Sequence, residues 1–207
     1  MSEKRLGMLL DLSLCIGCNA CVVACKQENA VPLTCFNTWI ESWDAKSESG
    51  VRRVNMPKLC NHCEDAPCVR VCPTGASYKA EDGTVQVDPE KCIGCKYCMA
   101  ACPYQARYQL ESGEVEKCTF CHHRSSEGLL PACVATCVTK ARIFGDLNDP
   151  DSDISKKLAE KGGEALYADL GLNPSVFYIG LSETNAMPVA SAVHRGGNVV
   201  KPYEGVN

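Results

Sequence analysis

Cys92, Cys95 and Cys98 stand at intervals of three, and Cys102 follows with Pro103 directly behind it. A chain wrapping one corner of an iron–sulfur cube can present three thiolates at i, i+3 and i+6. A fourth on the next helical turn points away and serves a neighbouring cube. Such a run calls for a partner run. Cys15, Cys18, Cys21 and Cys25 repeat the spacing, and Cys-Ile-Gly-Cys opens both, so the chain carries an internal repeat. Cys60, Cys63, Cys68 and Cys72 form a spread run with a displaced third cysteine, and Cys118, Cys121, Cys133 and Cys137 form another with a longer insert. The order is regular, spread, regular, spread.

Sixteen cysteines in four groups give four [4Fe–4S] clusters when paired runs exchange their fourth ligands. The adjacent middle groups exchange with each other. Cluster 3 is then Cys60, Cys63, Cys68 and Cys102, and cluster 4 is Cys92, Cys95, Cys98 and Cys72. The outer groups pair by elimination. Cluster 1 becomes Cys15, Cys18, Cys21 and Cys137, and cluster 2 becomes Cys118, Cys121, Cys133 and Cys25. The seventeenth cysteine, Cys35, lies outside every run and reads as a buried free thiol.

Three other chemistries meet part of this pattern. A disulfide framework scatters its cysteines, whereas these fall in tight groups. Zinc sites also use paired Cys-x-x-Cys, but they leave the cysteines at i+6 and i+10 unexplained. Cys118-Thr-Phe-Cys121-His122 matches the c-type haem attachment pattern, a reading that orphans Cys133, Cys137 and Cys25.

The runs must be held by short elements. Residues 6–12 read as a strand delivering the chain into the first run, and a helix follows Cys18 to about Glu28, stopped by Val31-Pro32. Residues 37–44 and 51–56 flank a polar turn and read as a hairpin whose Trp39 and Trp43 cover a cluster from water or form an interaction surface. Asp82-Gly83 marks a hairpin turn between the second and third runs, and Ser112-Gly113 marks another between strands at 104–110 and 114–117. Residues 141–146 read as a closing strand. After Asp149-Pro150 the cysteines stop. A surface helix over 153–161, capped by Asp151 or Ser152 and ended by Gly162-Gly163, precedes a last strand at 176–181.

The fold class is therefore α+β, a duplicated bacterial ferredoxin-like arrangement of two double-cluster lobes. Lobe one takes about residues 1–35 and 115–150, and lobe two about 56–114. A hairpin insert occupies about 36–56, and 151–207 forms a C-terminal helix and partner-binding arm.

A formal net charge of −4 argues against a general nucleic-acid binder. No apolar run approaches the roughly 18 residues of a membrane span, and the N-terminal apolar stretch ends at Asp11, too short for an export signal. No Gly-rich phosphate loop, Ser/His/acid set or paired carboxylates suggest a catalytic residue. Of the four histidines, His62, His122 and His123 stand beside cluster cysteines and His194 does not. They are candidates to donate to a cluster sulfur, and His122-His123-Arg124 is a candidate docking or tuning patch. Four redox centres without a substrate site describe a conductor.

Longer stretches carry a family likeness. They are Asp11-Leu-Ser-Leu-Cys15-Ile-Gly-Cys18, Cys25-Lys-Gln-Glu-Asn29, Cys60-Asn-His-Cys63-Glu-Asp-Ala-Pro-Cys68, Cys72-Pro-Thr-Gly-Ala76, Lys117-Cys-Thr-Phe-Cys121 and Phe144-Gly-Asp-Leu147. Over about residues 6–150 the chain resembles the four-cluster iron–sulfur (beta) subunit of the dimethyl sulfoxide reductase family of molybdoenzymes, especially those of polysulfide, thiosulfate, tetrathionate and arsenate reductases. The resemblance implies electron relay between a molybdopterin-containing catalytic subunit, facing cluster 1, and a membrane quinone-linked anchor, facing cluster 4. It also implies a respiratory complex acting on a sulfur or arsenic oxyanion. Some relatives lack a cysteine of the third run and hold a three-iron cluster, but Cys92, Cys95 and Cys98 are all here. Val138 stands where relatives often have proline. Thiolates are metallated in a reducing compartment, so a periplasmic location would require co-export, already folded, with a partner carrying a twin-arginine signal. A cytoplasmic location is the alternative, as a soluble polyferredoxin carrier is the alternative function.

Overall fold

The computed structural model describes residues 4–47 and 50–182. The fold starts in β1 (Leu6–Asp11), every residue of which is buried. It then passes the first run into α1 (Ala20–Glu28). The helix stops at Asn29, and Ala30 takes φ 49° before the Val31-Pro32 pair is reached. A long antiparallel hairpin follows, β2 (Thr38–Ser47) on β3 (Gly50–Leu59). It is longer than the alternation suggests, because backbone pairing continues through the polar residues towards its tip.

The second run leads through α2 (Pro67–Arg70) into the small hairpin of β4 (Ser77–Lys79) and β5 (Val85–Val87). The third passes α3 (Tyr97–Ala100) into a matching hairpin, β6 (Arg107–Gln109) and β7 (Val115–Lys117). The fourth spans α4 (His122–Ser125) and α5 (Ala132–Ala135) before β8 (Arg142–Asp146). These strands are shorter than expected from the sequence, since the segments on either side are committed to carrying cysteines.

β8 pairs antiparallel with β1, Leu6 facing Asp146 and Leu10 facing Arg142. The pairing draws the first and fourth runs together, and α1 packs on α5 while α2 packs on α3.

Beyond β8, α6 (Asp153–Lys161) begins at Ser152, whose side chain accepts from the Ser155 amide, and ends at Gly162. It packs on β8 and β1. Ile154 is its fully buried contact. β9 (Val176–Ile179) then runs parallel to β1 along its other edge, Met8 facing Val176 and Asp11 facing Ile179.

The segment read from sequence as set apart is thus woven into the central sheet, at least as far as residue 182. It also ties to the middle runs. Ser175 N donates to Asn61 O (2.8 Å), Glu64 N donates to Asn173 O (2.9 Å), and the Tyr104 hydroxyl donates to Leu166 O (3.2 Å). The remainder of the expected arm, His194 included, lies outside the described residues.

Candidate iron–sulfur sites

All seventeen cysteines are free thiols, with no disulfide among them. The first Cys-x-x-Cys of each run turns through a residue of positive φ: Gly17 (70°), His62 (44°), Gly94 (67°) and Phe120 (55°). That conformation curls the backbone so that both thiols face one point, and glycine adopts it without steric cost.

The thiols fall into sets that differ in exposure. Cys72, Cys92, Cys95 and Cys98 line one cavity, with Ser77, Arg107 and Val115 on its wall. Cys25, Cys118, Cys121 and Cys133 line another, with Met8, Asn29 and Thr38 beside them. Cys60, Cys63, Cys68 and Cys102 act on one another electrostatically, as do Cys15, Cys21 and Cys137. Cys95 of the first set is exposed, as is Cys18, which stands between Cys15 and Cys21 in the run. In the second and third sets every thiol is buried except the half-buried Cys102.

Burial, with neighbouring thiols adding to it, pushes Cys25 and Cys63 up to about 12. Cys102 and Cys133 are raised to about 11, again chiefly by burial. Such groups cannot ionise together beside one another unless a cation neutralises them, so iron binding must release their protons. Cys72 goes the other way: burial would raise it, but donors from Ser77, Thr74 and Ala76 outweigh that and hold it low.

Sulfur-directed donors are already in place. Ser77 N reaches Cys72 Sγ (3.3 Å), Val115 N reaches Cys92 Sγ (3.4 Å) and Phe120 N reaches Cys118 Sγ (3.4 Å). Asn29 Nδ2 donates to both Cys25 and Cys121 Sγ, at 3.6 Å each. Convergent free thiols, backbone donors to sulfur and nearby buried cations are the environment that a thiolate-ligated cube requires.

The histidines resolve differently from one another. His62 is fully buried and stacks on Phe120 with ring centroids 3.8 Å apart. Its Nδ1 accepts from the Val85 amide (3.0 Å), which leaves the proton on Nε2. Burial, with Lys117 and Arg107 nearby, holds its pKa well below the usual range, so it is neutral. His122 pairs with Asp82 (3.3 Å), and His123 and Arg124 both pair with Glu28 (2.8 and 3.0 Å). The His122–Arg124 segment therefore ties α4 to α1 and to the β4–β5 turn.

Trp39 is buried and Trp43 half-buried against the main core, which also holds Cys21, Cys60 and Cys63. Cys35 sits in a small second core with Val31 and Tyr108.

Sequence reasoning overlooked Arg107 and Arg142 and gave no role to Lys117. A signal was available: Arg107 and Arg142 each stand five positions after the last cysteine of a run, Cys102 and Cys137, and each follows an alanine.

This is the architecture of a multi-cluster, ferredoxin-type electron carrier. The comparisons agree. A 4Fe–4S dicluster domain family matches residues 51–147, and a second family of the same description matches residues 14–76. The sequence is 45% identical over 192 residues to the B subunit of tetrathionate reductase from Salmonella typhimurium, covering 90% of this protein and 77% of the relative. It is 44% identical over 181 residues to the B chain of polysulfide reductase from Wolinella succinogenes (85% of this protein, 94% of the relative). With the B subunit of sulfite dehydrogenase from Allochromatium vinosum it shares 42% identity over 199 residues (84% and 82%). The protein belongs to the family of four-cluster iron–sulfur (beta) subunits of dimethyl sulfoxide reductase-type molybdoenzymes. It carries four [4Fe–4S] clusters, and its function is electron transfer.

Proposed function

We propose that the protein is the middle conductor of a respiratory complex, with the clusters held by the four ligand sets named above and used in the order 1, 2, 3, 4. The observation that carries this reading is the exposure pattern. Two thiols of the regular runs, Cys18 and Cys95, reach the surface, while every thiol of the spread runs is buried or half-buried.

Apolar side chains surround each exposed end. Ile16, Val23 and Val138 are exposed near the first, and Ile93 and Tyr97 near the second. Exposed apolar patches of this kind mark protein contacts. A conductor needs two such terminals, where a free carrier needs one.

The first terminal fits a catalytic subunit with a molybdopterin site, and the second a membrane anchor exchanging electrons with quinone. Relatives named as subunits of tetrathionate and polysulfide reductases support a sulfur oxyanion or related acceptor as the complex's substrate. Among the described residues no helix is long and apolar enough to cross a membrane, so attachment on this reading goes through the anchor. The protein would lie on the periplasmic face after co-export with its catalytic partner.

Affinity purification of the tagged protein from its own host tests the proposal. Co-purification of a molybdenum-containing subunit and a membrane subunit is expected, and a monomer without either would overturn it. For the ligand sets, Cys102→Ser should alter the spectroscopic signal that Cys60→Ser alters, and leave the one altered by Cys92→Ser.

A further inference from the structure

Three basic side chains are deeply buried among the described residues. Arg107, Lys117 and Arg142 are 4%, 2% and 3% exposed. A buried cation without an anion costs several kcal/mol, of the order that removes most of a domain's stability. The anions that act most strongly on these three are cysteine thiolates, with no carboxylate among them.

Their positions follow the order of the clusters. Arg142 acts electrostatically on Cys21 of cluster 1 and on Cys133 and Cys118 of cluster 2, and its Nη1 donates to Met8 Sδ (3.7 Å), which lines the cavity of Cys25, Cys118, Cys121 and Cys133. Its Nη2 is fixed by Thr38 Oγ1 (2.9 Å). Lys117 donates to the carbonyls of Val85 and Cys118, the latter at 2.8 Å, in the contact between the two lobes. The thiols of Cys60 and Cys68 in cluster 3 and Cys118 in cluster 2 flank it. Arg107 lines the cavity of Cys72, Cys92, Cys95 and Cys98 of cluster 4 and acts electrostatically on Cys60, Cys68 and Cys102 of cluster 3. Ser77 Oγ holds its Nη2 at 2.7 Å, while its Nη1 is buried with no protein partner.

We propose that Arg142, Lys117 and Arg107 are the fixed charges of the electron path, one in each gap between consecutive clusters, and that each raises the reduction potential of the two clusters it separates. The inference rests on the ligand sets proposed above.

A thiolate-ligated cube is an anion that becomes more negative on reduction, and burial disfavours the more charged form. The two middle clusters, the most buried, would otherwise be the hardest to reduce and would block the path. A cation in the gap stabilises the reduced form on both sides, and low local polarity strengthens its effect. The unpartnered Arg107 Nη1 also supplies a donor for a cluster sulfur. All three act as positioning residues of charge, and none is a cluster ligand.

The test is a redox titration of the full-length protein with its four clusters, followed by electron spin resonance. Cys18→Ser and Cys95→Ser first identify the signals of the two terminal clusters. Arg142→Gln should then lower the midpoints of clusters 1 and 2, Lys117→Gln those of 2 and 3, and Arg107→Gln those of 3 and 4. The charge-retaining Arg142→Lys, Lys117→Arg and Arg107→Lys should restore them.

An uncharged variant that keeps iron for four clusters and leaves every midpoint unmoved, or moves a pair it does not separate, overturns the inference. If uncharged variants lose clusters, recovery of cluster content in the charge-retaining variants supports the inference, and failure to recover overturns it. The ligand sets fail separately, through the Cys102→Ser, Cys60→Ser and Cys92→Ser comparison.

Discussion

The regular and the spread runs make the same Cys-x-x-Cys turn with different residues at its third position. In the regular runs that residue is Gly17 or Gly94, and the first thiols beyond them, Cys18 and Cys95, reach the surface. In the spread runs it is His62 or Phe120, both of positive φ, and their flanking thiols are buried. A bulky residue in that backbone region costs about 1–3 kcal/mol. Here the cost is offset because the two strained residues, one from each spread run, stack on each other.

Glycine is required at the ends for a different reason. A Cβ on Gly94 would sit 2.5 Å from the Gly113 carbonyl oxygen, and one on Gly17 2.6 Å from Asn55 Oδ1. The ends are built for close backbone approach and the middle for a dry aromatic seam. One local motif thus yields either an exposed or a buried thiol, according to what its third residue can pack against.

The largest expected effect that would break this comparison is in iron release. Under a mild oxidant with a chelator, iron should leave in two phases of about equal size, the exposed ends before the buried middle. A single phase would erase the distinction.

Cysteine substitution sharpens it. Cys68→Ser, in the buried middle, should lower iron content by more than one cluster and destabilise the fold. Cys95→Ser should affect one cluster and leave the thermal midpoint nearly unchanged. Iron analysis and a thermal melt decide between equal and unequal effects.

At the seam, Phe120→Ala should cost about 3–5 kcal/mol, the usual loss for a buried phenylalanine, reduced slightly by relief of strain. At an end, Gly94→Ala should cost about 1–3 kcal/mol through strain at positive φ, with the greater loss in cluster 4. Denaturant unfolding of the two variants measures both, and a harmless Phe120→Ala would show the stack to be incidental.

The smallest effect lies away from the clusters. Asp11, buried at the end of β1, accepts from Ser13 (3.0 Å) and from Lys161 on α6 (3.1 Å). Burial would raise its pKa, but these bonds outweigh it and hold the carboxyl below the usual range. A folded-state value below the unfolded one means that the contribution is complete above about pH 4. It is lost as pH falls through the folded value. Asp11→Asn should therefore destabilise by about 1–3 kcal/mol at neutral pH, with the difference from the parent narrowing in acid.

Much of the site could be read along the chain, because a cubic cluster fixes the spacing of its own ligands. The four cysteine runs, the turn at Asp82-Gly83 and the Ser152-capped α6 all rest on contacts a few residues apart. The strand pairing was less legible. β9 lies parallel to β1 although most of the sequence separates them, and only tertiary packing selects that edge. The cationic role of Arg107, Lys117 and Arg142 was hidden for the same reason. In sequence they read as ordinary charged residues of short strands, and their meaning comes from thiols brought in by other runs.

What the sequence determined by itself is the chemistry: sixteen thiolates in four groups, spaced for four cubes. The tertiary structure decided which thiols are buried, which reach the surface, and where the buried charges stand between them. The physical reason is range. Ligand spacing is a property of a few consecutive residues, whereas burial and electrostatic environment are set by the whole chain folded around them.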